Sequence, residues 1–125
     1  MNCHCGSSSR YNLCCQRFLE GDDRPETAEA LMRARYSAYV EGEDQFLLDS
    51  WHPLTSPSGL EIVKDQRWLG LKILAVHQGG SADATGWVEF IAKFKVSGKV
   101  EKLHEVSEFV REKGQWLYLT GTLKN

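Results

Sequence analysis

An α+β fold carrying a small cysteine hook at its N-terminus is what this sequence predicts, on three observations. Four cysteines, Cys3, Cys5, Cys14 and Cys15, fall within the first fifteen residues as C-x-C-x8-C-C, and the remainder of the 125 residues has none. Apolar residues then recur at helical spacing as far as Trp68, and from Leu71 onward they alternate with a period of two. Helices first and an antiparallel meander afterwards describe helices packed on one face of a curved sheet. The expected division is a hook over residues 1–22 and a domain over residues 23–125.

Four thiols are the number a closed tetrahedral metal site needs. Gly6 followed by Ser7, Ser8 and Ser9 suits the chain reversal that brings both cysteine pairs to one ion. Thiolate softness does not decide between zinc and an iron–sulfur cluster. A disulfide framework is disfavoured because Met1-Asn2-Cys3 leaves no room for a secretory leader, and a vicinal Cys14–Cys15 bridge would be strained. His4, between two better donors, reads as a solvent-facing bystander.

The same stretch resembles the SEC-C motif, a zinc hook found at the tail of the bacterial preprotein translocase motor. The match runs from Cys3 to Cys15 and includes Gly6-Ser7 and Tyr11; His4 replaces a usual proline and Ser8 a usual second glycine. A positive φ at Ser8 would therefore strain the serine mildly. The resemblance implies one zinc per chain on Cys3, Cys5, Cys14 and Cys15, and a hook that recruits a protein partner. Ser9, Arg10, Tyr11, Asn12 and Leu13, in the loop between ligand pairs, would form the partner surface.

Composition narrows the classes. Fifteen Lys and Arg stand against seventeen Asp and Glu, a net charge of −2, with the basic residues scattered and forming no block. Nucleic acid and anionic membranes are disfavoured as partners on that ground. No apolar run approaches the roughly 20 residues of a membrane span, so the expectation is a soluble, cytoplasmic protein.

The elements follow in order. A helix over residues 28–40 is started by Asp23 with Glu26 as a capping box, or by Thr27 one turn on, and ended by Gly42. Leu31, Met32, Ala34, Tyr36, Ala38 and Tyr39 form its apolar stripe. A second helix, 43–51, turns Phe46, Leu47 and Trp51 inward and stops at Pro53. A third is expected over 60–68. Strands are expected over 71–77, 85–97, 102–112 and 115–120, with turns at Gly98 and Lys113-Gly114. In the second strand Val88, Phe90, Ala92, Phe94 and Val96 make the buried face.

Several blocks resemble the YchJ-like bacterial family: Arg35-Tyr36-Ser37-Ala38-Tyr39-Val40, Trp51-His52-Pro53, Gly86-x-Val88-Glu89-Phe90, His104-Glu105-x-Ser107-x-Phe109-Val110-Arg111 and Trp116-x-Tyr118. Its members carry a SEC-C hook followed by a domain of the nuclear transport factor two-like, cystatin-like superfamily. That resemblance implies a cone-shaped domain open at one end. Tyr36, Trp51, His52, Glu105, Ser107, Phe109 and Trp116 are the candidates for its inner wall.

Glu105 shares a strand face with Leu103, Ser107 and Phe109. A structural pairing with Arg35 or His104 outweighs a role as general base. His52, before Pro53, suits a helix C-terminus. The chain has no phosphate-cradling glycine loop, nucleophile elbow or H-E-x-x-H motif, and four thiolates leave a metal no open position for substrate. The reading is an interaction module with a structural zinc and no catalytic residue. Its alternative is a small-molecule-binding protein or enzyme working in the cone.

Overall fold

The structure, a computed structural model, describes residues 2–60 and 65–124. After a short 3-10 turn at Tyr11–Leu13 come helices α1 (Gln16–Leu19), α2 (Ala28–Glu41) and α3 (Asp44–Asp49). Strands β1 (Gln66–Gln78), β2 (Thr85–Val96), β3 (Lys99–Glu112) and β4 (Gln115–Leu123) follow. The strands form one antiparallel sheet in chain order. Both tight hairpins place two successive residues at positive φ, Ser97-Gly98 and Lys113-Gly114, the twist-compatible geometry for a two-residue turn.

Thr27, not Asp23, caps α2: its hydroxyl accepts the Ala30 N–H at 3.0 Å. Asp23 is occupied elsewhere, pairing with Arg17 at 2.8 Å. Gly42, left-handed at φ 73°, ends the helix as expected. Leu31, Met32, Ala34, Tyr36 and Ala38 are buried, while Tyr39 is 40% exposed. Arg35 and Ser37 are buried as well, because α2 is covered on two sides. Ala28, Leu31, Met32 and Tyr36 pack with Val88, Phe90, Ala92, Phe109 and Trp116 of the sheet. Ala34 packs with Cys3, Cys5, Cys15 and Phe18 of the hook.

Two expectations fail at the helix–strand boundary. Of the helix predicted over 60–68, residues 61–64 lie outside the described residues, and Gln66, Arg67 and Trp68 open β1. Trp68 stands opposite Phe94 and meets Tyr36 edge-on at 5.7 Å, contacts that a strand supplies. Register shifts at Leu69 and Leu74 put one extra residue into β1 each time, which breaks the period of two that sequence reading relies on. The second helix also ends early, at Asp49. Ser50 and His52 exchange backbone hydrogen bonds of 2.8 Å with Tyr118, so the chain leaves the helix to lie along β4.

Val88, Phe90 and Ala92 are buried on the inner face of β2, with Phe94 and Val96 partly so, as the alternation predicts. No helix among the described residues is long and apolar enough to cross a membrane.

Candidate functional site

The hook begins as a reversal. Asn2 bridges Arg10, and the Cys3 N–H reaches the Ser9 carbonyl at 2.7 Å. Gly6 turns at φ 79°, and a Cβ there would stand 3.1 Å from the Leu71 carbonyl of β1. Ser8 adopts φ 69°, the strained conformation anticipated for a serine at this place. The 3-10 turn then returns the chain, so that Cys14 and Cys15 face Cys3 and Cys5.

All four Sγ atoms lie within 4.8 Å of one another. Cys5 and Cys14 are 3.6 Å apart and Cys14 and Cys15 3.9 Å. Sulfurs about 2.3 Å from one tetrahedral ion are separated by about 3.8 Å, so the donor set fits a metal. Cys3, Cys5 and Cys15 are buried and Cys14 is half-buried. Ser7 Oγ is 3.2 Å from Cys14 and Ser37 Oγ 3.6 Å from Cys3, outer hydroxyls that orient the sulfurs. Arg33 Nη1 donates to the Cys5 carbonyl at 2.6 Å, placing a positive charge beside the cluster.

The thiols are not equivalent. A hydrogen bond from Cys15 pulls Cys5 down to about 4. The same bond, with burial, pushes Cys15 up, and burial pushes Cys14 up. A divalent ion bound there would favour the deprotonated form of all four and offset their mutual repulsion.

His4 stands outside the sulfur cluster, as expected, and pairs with Glu41 at the end of α2 at 2.6 Å and leans on Tyr11, ring centroids 5.2 Å apart. Ser9, Arg10, Asn12 and Leu13 are exposed, and Tyr11 is half-buried. The loop between ligand pairs thus presents four open side chains around one anchored ring.

On the other side of α2 lies a cavity of about 270 Å³ against the inner face of the sheet. Tyr36, Trp51, Glu105 and Ser107 meet there, joined by Arg35 and Tyr118. The other three expected wall residues do not line it. His52 hydrogen-bonds Glu112 through Nε2 at 2.8 Å and accepts the Leu54 N–H on Nδ1. Phe109 is enclosed in the core, and Trp116 donates its indole N–H to the Glu26 carbonyl at 3.0 Å.

Glu105 takes neither partner expected of it. Ser107 Oγ donates to its carboxylate at 2.7 Å, while His104 binds Glu89 at 2.7 Å on the opposite face. Adjacent strand residues point to opposite faces, so His104 could not have served. Arg35 instead uses Nη1 for the Leu47 carbonyl and Ser50 Oγ, at 2.8 and 2.7 Å. Its guanidinium lies 4.7 Å from the Tyr118 ring and 5.1 Å from Trp51. Burial holds the Arg35 guanidinium below its ordinary pKa, and burial with Glu105 nearby raises Tyr118 to about 12. Trp51 Nε1 is buried with no hydrogen-bond partner among the described residues.

Sequence reading missed Arg35 and Tyr118 as cavity residues. Arg35 falls four after Leu31, on the buried side of the helix, and Tyr118 falls two after Trp116, on the inner face of β4; both spacings carried the signal. Gly121 was silent. A Cβ there would land on the Glu105 carboxylate and the Tyr118 hydroxyl, so a larger residue obliges the end of the Glu105 side chain to turn aside.

The family described as "YchJ, middle NTF2-like domain" matches residues 27–121. The chain belongs to the YchJ family. A UPF0225 protein of Chromobacterium violaceum is 46% identical over 123 residues, covering 95% of this chain and 90% of the relative. Another, from Streptomyces coelicolor, is 44% identical over 119 residues, covering 95% and 93%. The fold is similar to the solution structure of a SEC-C motif containing protein from Rhodopseudomonas palustris, with TM-score 0.88, 30% identity and full coverage of both chains. It is also similar to the crystal structure of a SEC-C motif containing protein from Psychrobacter arcticus, with TM-score 0.78, 28% identity and coverage of 98% of this chain and 82% of that one. The YchJ chain therefore joins its cysteine hook to a nuclear transport factor two-like domain, as both resemblances imply.

Proposed function

We propose that this YchJ-family chain is a protein-interaction module of the reducing cytoplasm, built round one structural zinc held by Cys3, Cys5, Cys14 and Cys15. The observation that carries the reading is the pairing of a closed four-sulfur cluster with an open loop. Three of the cysteines are buried, and Leu13, one residue before Cys14, is 67% exposed. Four thiolates leave no position for substrate, so the metal shapes a surface and does no chemistry. Arg10, Tyr11, Asn12 and Leu13 are the residues a protein partner would touch.

The test keeps all four cysteines. Metal analysis should find one zinc per chain, and affinity capture with the intact protein should retain a partner that Leu13→Glu with Arg10→Glu loses at unchanged metal content. Iron in place of zinc, or a partner held equally by the variant, contradicts the proposal.

One observation favours a second reading, a small-molecule site behind α2. The Trp51 indole N–H, which has no partner among the described residues, belongs to the wall of a cavity that also carries Arg35 and Glu105. At about 270 Å³ the space is slightly below that of drug-sized sites, which begin at about 300 Å³. A cation and a carboxylate together favour a neutral or zwitterionic ligand. A ligand there would shift the Trp51 indole resonance; a fragment screen that leaves that resonance unmoved removes this reading.

A further inference from the structure

Along the chain the basic residues are dispersed, but the sheet register gathers five of them. Lys95 on β2 stands opposite Arg67 on β1, and Lys93 stands opposite Lys102 on β3. One further step along β2, Ile91 stands opposite Lys72. Opposed residues share a face, as do residues two apart on a strand, so all five stand on the face turned away from α2. Every one is exposed. Strands about 4.8 Å apart, with about 7 Å between same-face neighbours, give the patch a size of roughly 10 by 14 Å.

Nothing in the fold accounts for this grouping. Like charges directly opposite one another weaken a sheet, and both Lys93–Lys102 and Lys95–Arg67 are such pairs. Among the described residues none of the five forms an ion pair. Asp65 lies at the Arg67 end, and Glu89, further along the face, is engaged by His104. Two shallow grooves open on the patch, one of about 410 Å³ beside Lys72, Lys93 and Lys102 and one of about 450 Å³ beside Arg67 and Lys95. The chain as a whole is acidic, so the patch is a local concentration of charge.

We propose that this face binds the phosphate backbone of single-stranded nucleic acid without sequence preference. Four of the five cations are lysines, point charges on flexible stems. As point charges they attract phosphates without imposing the fixed bidentate geometry of an arginine fork, which suits binding that reads no sequence. Lysine is depleted in protein–protein interfaces, which counts against an acidic protein surface. Strand addition by an acidic peptide is opposed by the shifts at Leu69 and Leu74, which interrupt the free edge of β1. Among the described residues the Lys93 and Lys95 rows hold no aromatic side chain, and the one imidazole in the Lys72 row, His104, is engaged by Glu89, so bases find no free ring to stack on and their identity goes unread. A flexible single strand can lie across all three strands, whereas a stiff duplex touches a flat patch along one line.

Fluorescence anisotropy of end-labelled oligo-dT and oligo-U tests this, with a labelled poly-glutamate peptide as competitor chemistry. Four or five phosphate contacts on a single strand give a plot of log affinity against log salt with a slope of about −3. Lys93→Glu with Lys102→Glu should weaken binding at least tenfold and flatten that slope by about 1.4. Arg24→Glu with Lys113→Glu, the same change of net charge at the far end of the molecule, should change binding less than twofold. Absence of binding to either oligonucleotide at low salt overturns the proposal. So does equal loss in the two double variants, or poly-glutamate binding as tightly as the oligonucleotides. Because each variant leaves the cysteines and the loop at residues 9–13 untouched, the result is independent of the metal hook.

Discussion

Ser107 donates a 2.7 Å hydrogen bond to Glu105, two residues back on the same face of β3. The carboxylate is thereby held over Gly121 on β4, beside the Tyr118 hydroxyl, with the buried Arg35 guanidinium facing the same cavity. Hydrogen bonds to charged groups contribute about 1.5–3 kcal/mol when buried, and Glu105 is only half-buried, so the lower part of that range applies. Ser107→Ala is expected to lower unfolding free energy by about 1.5–2 kcal/mol in urea titrations. Gly121→Ala, which displaces the same carboxylate, is expected to cost no more than that, because the end of a half-buried glutamate can turn aside.

Arg35 is expected to be far less replaceable than a surface arginine. It ties α2 to the carbonyl of Leu47 and the hydroxyl of Ser50, and its planar group packs on two rings. A lysine ammonium could donate both bonds from its one nitrogen, but it has no planar group to lie against Tyr118 and Trp51. Arg35→Lys should destabilise by about 2–3 kcal/mol, measured by chemical denaturation, with Trp51 fluorescence changed in the native baseline.

Alkaline titration gives a third expectation. Tyr36 and Tyr118 are each raised to about 12 from the usual phenol value of 10, mainly by burial. A folded-state value above the unfolded one means that the folded chain holds its protons longer. The resulting stability is complete below pH 10 and is lost as pH rises from 10 through 12. Thermal melts across that window should fall steeply, and Tyr118→Phe should flatten the fall.

If the four cysteines carry the proposed metal, its removal is expected to reach past the hook. Cys3, Cys5 and Cys15 pack with Ala34, and Leu71 of β1 and Phe46 of α3 touch the same cluster. Chelation should therefore move amide resonances of Arg33, Ala34, Ser37 and Leu71 as well as those of residues 2–19, while β3 and β4 keep theirs. Changes confined to the first twenty residues would show that the cysteine cluster and α2 are energetically separate.

Lys93→Glu replaces a like-charge pair across β2 and β3 with an opposite one. It should raise stability by about 0.2–1 kcal/mol, seen as a higher melting temperature at low salt and a smaller gain at high salt.

How far the chain was legible follows the reach of its local signals. The four cysteines announced their cluster because a metal site is written in residue type and number alone. The alternation of Val88, Phe90 and Ala92 announced a one-sided sheet, and the turn residues located both hairpins. Where the backbone departs from regularity the signal fails: the extra residue at Leu69 disguises the start of β1, from Gln66 to Gly70. Partners across the sheet were equally hidden. Sequence spacing pairs Glu105 with Arg35 or His104, but its hydrogen-bond donor is Ser107 on its own strand. The basic face is invisible in sequence order because its members come from three strands brought together only by register.

Leu71 belongs at once to the packing around the sheet core and to that around the cysteine cluster, and its carbonyl abuts Gly6. The cysteine segment is thus not a cassette that recombination or an engineer can lift out at residue 22 and splice elsewhere. A transplanted copy would arrive without the strand and helix that wall it, and the donor would be left with Ala34 and Leu71 bare to water. In lineages that shuffle such hooks, this one should travel together with its α2 and β1, as one heritable block.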